Sequence, residues 1–167
     1  MLIDEKTPAR PRFKVLMKGL AAPLAAADFG DPVAGGTSYA VCLYDQYGGT
    51  IGGFTLGQTG ASCGVPARPC WRGLGTLGFR YVDRNGTEHG IKRVLLKGGA
   101  TGSGKALVKA RLVPGRSHSG FPPGMPLDLV HSNRATVQLV SSNGSCFSIT
   151  TDQVLGADAG RFSARRR

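Results

Sequence analysis

An all-β fold is what this sequence predicts: an antiparallel sandwich of about eight short strands, with a barrel as the alternative. Three observations point there. Apolar and polar residues alternate with period two in most patterned segments. Gly and Pro recur at short intervals, with 26 Gly and 10 Pro in 167 residues, as expected for many strands joined by tight turns. No segment sustains a helical period.

The elements follow in order from where the alternation stops. In RFKVLMK, Phe13, Val15 and Met17 fall on one face and Lys14, Leu16 and Lys18 on the other, the pattern of an edge strand. An Ala-, Pro- and Gly-rich loop runs to Thr37, then SYAVCLYD and TIGGFTL flank the turn QYGG. The irregular stretch GQTGASCGVPARPCWRGLGT leads to GFRYVD, and Asn85-Gly86 tolerates the positive φ of a tight turn. IKRVLLK and KALVKARLV follow, and then a Pro- and Gly-rich crossing, PGRSHSGFPPGMP. ATVQLV and SCFSIT flank Asn143-Gly144, and GRFSARRR adds a last short strand. The length suits one domain, 1–167, able to bury a core without staples.

Between IKRVLLK and KALVKARLV lies GGATGSGKA, in which Gly99-x-x-x-x-Gly104-Lys105 has the spacing of a phosphate-cradling loop. That loop needs a helix after it, whose N-terminus faces the phosphates, and Ser or Thr after the Lys for Mg²⁺. Here Ala106 follows Lys105, and Ala106, Val108, Ala110 and Leu112 alternate with Lys109 and Arg111. The string therefore reads as a hairpin turn, and no nucleotide or other cofactor is expected.

The net charge is +11, and eleven of the 21 Lys and Arg lie between Arg68 and Arg116, opposed only by Asp83 and Glu88. Such a balance attracts polyanions, or serves colloidal stability alone. The candidate surface is the outward face of the 91–112 hairpin, where Arg93, Lys97, Lys105, Lys109 and Arg111 line up on one side of a sheet. Acidic surface polymers are the expected ligands. Nucleic acid is the weaker alternative, because a single Trp and few other aromatics make a poor stacking platform.

Catalysis is not expected. His89, His118 and His131 all sit in loop settings, and GRSHSG lacks the spacing of a nucleophile elbow. Nothing selects Ser117, His131 and Asp128 as a triad from many other trios. The ten acids are scattered, which leaves no carboxylate pair for glycoside hydrolysis and no calcium cluster.

Four cysteines allow three pairings. Cys63 and Cys70 bracket a loop that closes locally, and Cys42 with Cys146 would tie an early strand to a late one. Zinc needs two close pairs, and only one is present. Two disulfides in an oxidising compartment is the preferred reading, with free buried thiols in the cytosol as the competitor. No apolar run approaches the ~18 residues of a transmembrane helix. The stretch RPRFKVLMKGLAAPLAAADFG is broken by Lys18 and Pro23, so it reads as a strand and loop rather than an export signal.

YAVCLYD, CGVPARPCW, GLGTLGFRYVDRNGT, GIKRVLLKGG, GKALVKARLV, MPLDLV, ATVQLVSSNGSCF and FSARRR occur in that order. Together they resemble an uncharacterised β-rich, disulfide-containing module, often found as repeats in predicted secreted proteins of environmental bacteria. The most specific pieces are Pro69-Cys70-Trp71, Gly78-Phe79-Arg80-Tyr81 with Asp83, and Val137-Gln138-Leu139 leading to Cys146. The likeness spans about Thr37 to Arg167, with a looser match over 1–36. It implies a secreted or cell-surface unit with two disulfides, a variable loop in place of the phosphate-cradle string, and no catalytic residues. The first function expected is then a structural, adhesion or surface-display module, partnered by other domains of a longer parent protein. The second is a binding module for an acidic polysaccharide or other polyanion.

Overall fold

The computed structural model describes residues 1–6, 12–20, 23–57, 59–64, 66–111 and 128–166. Its strands are β1 (Leu2–Asp4), β2 (Arg12–Leu20), β3 (Tyr39–Tyr44), β4 (Thr50–Leu56), β5 (Ser62–Cys63), β6 (Arg68–Pro69) and β7 (Trp71–Gly73). They continue with β8 (Gly78–Val82), β9 (Ile91–Lys97), β10 (Gly104–Arg111), β11 (Ala135–Ser141), β12 (Cys146–Thr151), β13 (Gln153–Asp158) and β14 (Arg161–Arg165). A 3₁₀ turn, Ala26–Phe29, lies between β2 and β3.

Eight strands form one antiparallel sheet in the order β13-β14-β1-β2-β10-β9-β8-β7, and four form a second in the order β12-β11-β3-β4. The two sheets pack as an open sandwich. The barrel alternative fails because β13 and β7, the ends of the large sheet, do not pair with each other. Both ends are blunted against adding strands: β7 has three residues, and β13 carries a register shift between Val154 and Gly156.

The period-two pattern decides which faces meet. Phe13, Val15 and Met17 of β2 and Ala106, Val108 and Ala110 of β10 turn inward from the large sheet. Tyr39, Val41 and Leu43 of β3 and Ala135, Val137 and Leu139 of β11 meet them from the small one. Phe13 and Phe54 touch edge-on across the interface at 6.0 Å between ring centroids, and Trp71 lies 5.2 Å from Tyr39 and 5.3 Å from Tyr81. Such pairs add specificity to the burial of apolar area. The Trp71 indole N–H donates to the Gly57 carbonyl at 3.1 Å. The Tyr39 hydroxyl donates to the Phe29 carbonyl at 2.7 Å, and burial pushes its phenol well above the usual range.

Strand β2 is not the edge strand that its alternation predicts. It lies between β1 and β10, although β1 covers only Arg12 to Lys14 on that side. A register shift in the β9–β10 pair skips Lys92, so that Ile91 and Val94 both point inward while Arg93, Leu95 and Lys97 point outward.

The hairpin reading of GGATGSGKA holds in the fold. Ser103 N–H donates to the Ala100 carbonyl at 2.8 Å, and Gly104 begins a strand rather than a helix. The glycines serve a backbone approach instead. Leu24 and Gly99 exchange two hydrogen bonds of 2.9 Å, and a Cβ on Gly98 would run into the Leu24 carbonyl. Gly78, which opens β8, has φ +127° and faces the Leu96 carbonyl so closely that a Cβ has no room. Gly78→Ala is expected to cost about 3 kcal/mol, read as a lowered midpoint in chemical denaturation.

Candidate polyanion-binding face

Five neighbouring strands of the large sheet, β2, β10, β9, β8 and β7, hold eleven Lys and Arg and no Asp or Glu. Their pairing register sorts those cations into rows. Lys105 of β10 stands opposite Lys97 of β9 on one side and Lys18 of β2 on the other. Lys109 stands between Arg93 and Lys14 in the same way. Each row puts three cations side by side at a strand spacing of about 4.8 Å, and the rows lie about 13 Å apart along the strands. Between them Leu107 opposes Leu95 and Leu16, and all three leucines are half-buried. Arg80 opposite Leu95, and Arg72 opposite Arg80, extend this apolar lane with positive charge.

Like charges directly opposite one another destabilise a sheet, so these rows cost folding free energy. The two acids of this stretch of chain do nothing to relieve that cost. Asp83 is fully buried, accepting from Asn85 N–H at 2.9 Å and from the Thr87 N–H and hydroxyl at 2.6 Å each. Burial opposes its ionisation, yet these hydrogen bonds hold the carboxyl below its usual range. Glu88 is half-buried and accepts from Gly57 N–H at 3.3 Å. Acids reappear only beyond β2, where Asp4 stands opposite Arg12 and Arg161, and Asp158 pairs with Lys6 at 2.8 Å.

The face is also continuous with a cleft. Where β1 ends, about 750 Å³ lies open between β2 and β14, lined by Leu2, Lys14, Leu16, Lys18, Arg165 and Arg166 among others.

Of the residues that the sequence singles out, Arg93, Lys97, Lys105 and Lys109 share this outward face. Arg111 ends β10 opposite Arg12. Sequence reasoning missed Lys14 and Lys18 as members of the rows. Both stand out in the alternation of β2, but their neighbours come from a strand about ninety residues away in the chain. Ser117 and His118 lie outside the described residues. Asp128 and His131 are both exposed, and His89, at φ 49°, stacks on Phe54 at 6.4 Å between ring centroids. Among the described residues, no group of three or more His, Cys, Asp and Glu is placed to hold a metal.

The cysteines divide. Cys63 and Cys70 form a disulfide with Cα atoms 4.9 Å apart, a bond that persists in oxidising compartments. The second expected disulfide is absent: Cys42 and Cys146 are both free. Strand β11 runs between β3 and β12, which sets the two residues at least two strand spacings apart. That is about 9–10 Å, against the roughly 4.4–6.8 Å that a disulfide spans. No helix among the described residues is long and apolar enough to cross a membrane.

No family model matches this chain, and neither a curated protein nor a solved structure matches it.

Proposed function

We propose that the protein is a non-catalytic, extracytoplasmic module that binds an acidic polysaccharide across the outward face of its large sheet. The observation that carries this reading is the pair of cation rows, Lys18–Lys105–Lys97 and Lys14–Lys109–Arg93, with no acid among them. A face serving only as a spacer, an adhesion or a display surface gains nothing from the repulsion within each row, whereas a bound polyanion relieves it. The leucine lane favours a glycan over nucleic acid. It offers an apolar strip to the C–H face of a sugar ring while acidic substituents reach the cations at either side. The disulfide supports an oxidising location. Secretion by a bacterium, as a unit of a repeated module, belongs to the same proposal and rests on the resemblance alone.

The test is a titration with carboxymethyl dextran, neutral dextran and double-stranded DNA. Carboxymethyl dextran is expected to bind and neutral dextran is not. By counterion release from about six contacts, affinity is expected to fall roughly 300- to 1,000-fold between about 50 and about 200 mM salt. Tighter binding to DNA than to the charged dextran would reverse the glycan assignment. Binding to none of the three would leave a structural unit.

A further inference from the structure

At the β7 end of the same face, a small pocket of about 160 Å³ is lined by Arg68, Arg72, Arg80 and Arg84 around the Cys63–Cys70 disulfide. Its charged lining is arginine alone, whereas the two rows are mostly lysine. Arg72 and Arg80 stand directly opposite each other on β7 and β8, and Arg68 is on β6 opposite Cys63. None of the four is in an ion pair among the described residues. Four unpaired guanidinium groups around one cavity repel one another unless an anion sits between them.

Both walls of the pocket are pinned. The disulfide closes the short loop that presents Arg68, and Cys70 N–H donates to the Ala61 carbonyl at 2.9 Å. On the other side the Asp83 hydrogen bonds fold the turn that presents Arg84, and the Lys92 ammonium donates to the Arg84 carbonyl. The backbone that presents the arginines is thus fixed before binding, and only their side chains have still to be ordered. Its size is below the ~300 Å³ of sites for drug-sized ligands, so it suits one compact group rather than a whole sugar or nucleotide. Guanidinium forks donate paired, parallel hydrogen bonds to oxyanions, which an ammonium does not.

We infer that this arginine pocket receives a single tetrahedral oxyanion, a sulfate or phosphate ester, carried by the acidic polymer that crosses the lysine rows. The inference rests on the proposed function for its polymer, but not for the pocket itself. The pocket selects the kind of acidic group, and the rows supply charge without selection.

The experiment uses dextran sulfate, dextran phosphate and carboxymethyl dextran of equal charge density, which share one backbone. The full chain is expected to bind at least one of the first two about tenfold more tightly than the third, and which one it prefers identifies the ester. Arg72→Gln with Arg80→Gln is expected to erase that preference, lowering affinity for the favoured ester about tenfold more than affinity for carboxymethyl dextran, with no loss of thermal midpoint. Both side chains are exposed, so neither supports the core. A preference that survives in the double variant, or no preference in the parent, would overturn the inference. If no dextran binds, inorganic sulfate and inorganic phosphate separate the two ideas by NMR. Movement of the Arg72 and Arg80 side-chain resonances keeps the pocket and discards the polymer face, and no movement discards both.

Discussion

Lys105→Glu combined with Lys109→Glu is expected to abolish polyanion binding and, at low salt, to make the protein more stable. Each of these lysines stands between two cations, Lys18 and Lys97 for the first and Lys14 and Arg93 for the second. The double change therefore converts four like-charged cross-strand pairs into four opposite ones. Cross-strand charge pairs are each worth a few tenths of a kcal/mol up to about 1, and exposed ones lie at the low end. The sum is a gain of about 1 kcal/mol that fades above ~0.5 M salt as screening shortens the reach of each charge. Binding moves the other way. Two contacts are lost and two repulsions are created in the middle of the rows, so affinity for carboxymethyl dextran is expected to fall at least about a hundredfold. Paired denaturation and binding titrations read both effects. A double variant that binds normally would remove the rows from the site, and one that is less stable at low salt would show that the rows cost nothing.

Asp83→Ala is expected to cost about 3 kcal/mol, and to remove part of the acid sensitivity of the fold. The carboxylate is buried and accepts three hydrogen bonds from Asn85 and Thr87, and its loss strands two backbone N–H groups inside the turn after β8. Its folded-state pKa lies below the unfolded value of about 3.9. The stability it contributes is therefore fully present above that value, and is lost as pH falls through the folded-state pKa. Between neutral pH and about pH 3 the parent should lose more stability than Asp83→Ala does. Asp83→Asn keeps one acceptor oxygen, so it should retain part of the stability while losing the same portion of the acid limb. Denaturant unfolding at the two pH values, for all three proteins, makes the comparison. Equal acid losses in all three would detach the carboxylate from the pH dependence.

The long strands are legible in the sequence because one of their faces is buried and the other wet. In β10 and β11 the alternation is unbroken, in β2 it holds from Arg12 to Lys18, and each strand appears where the pattern puts it. The short strands are not legible. β5, β6 and β7 have two or three residues each, too few for any period to show, and β13 has Gly156 and a register shift where alternation would be read. The hairpin cations share a face for a reason visible in the chain, since both strands are local and alternate. The rest of the site depends on sheet order, which alternation does not encode. Nothing in RFKVLMK says that its lysines lie beside Lys105 and Lys109. Sheet order also decides the cysteines: an even count and two strand settings favour a Cys42–Cys146 bond, and β11, lying between them, forbids it.

The seam at β1 bears on how the chain reaches this state. Leu2 pairs with Lys14 on one side and with Ser163 on the other, so the three residues of β1 join β2 to β14, two strands far apart in sequence, within one sheet. During synthesis the outer edge of β1 waits, unpaired, until β14 has left the ribosome. The seam is thus among the last parts of the large sheet to close, and its loop entropy has to be met before any of its hydrogen bonds repay it. Folding should accordingly be slow for this size, and the open edge of β1 is where a nascent chain is most exposed to pairing with the wrong strand.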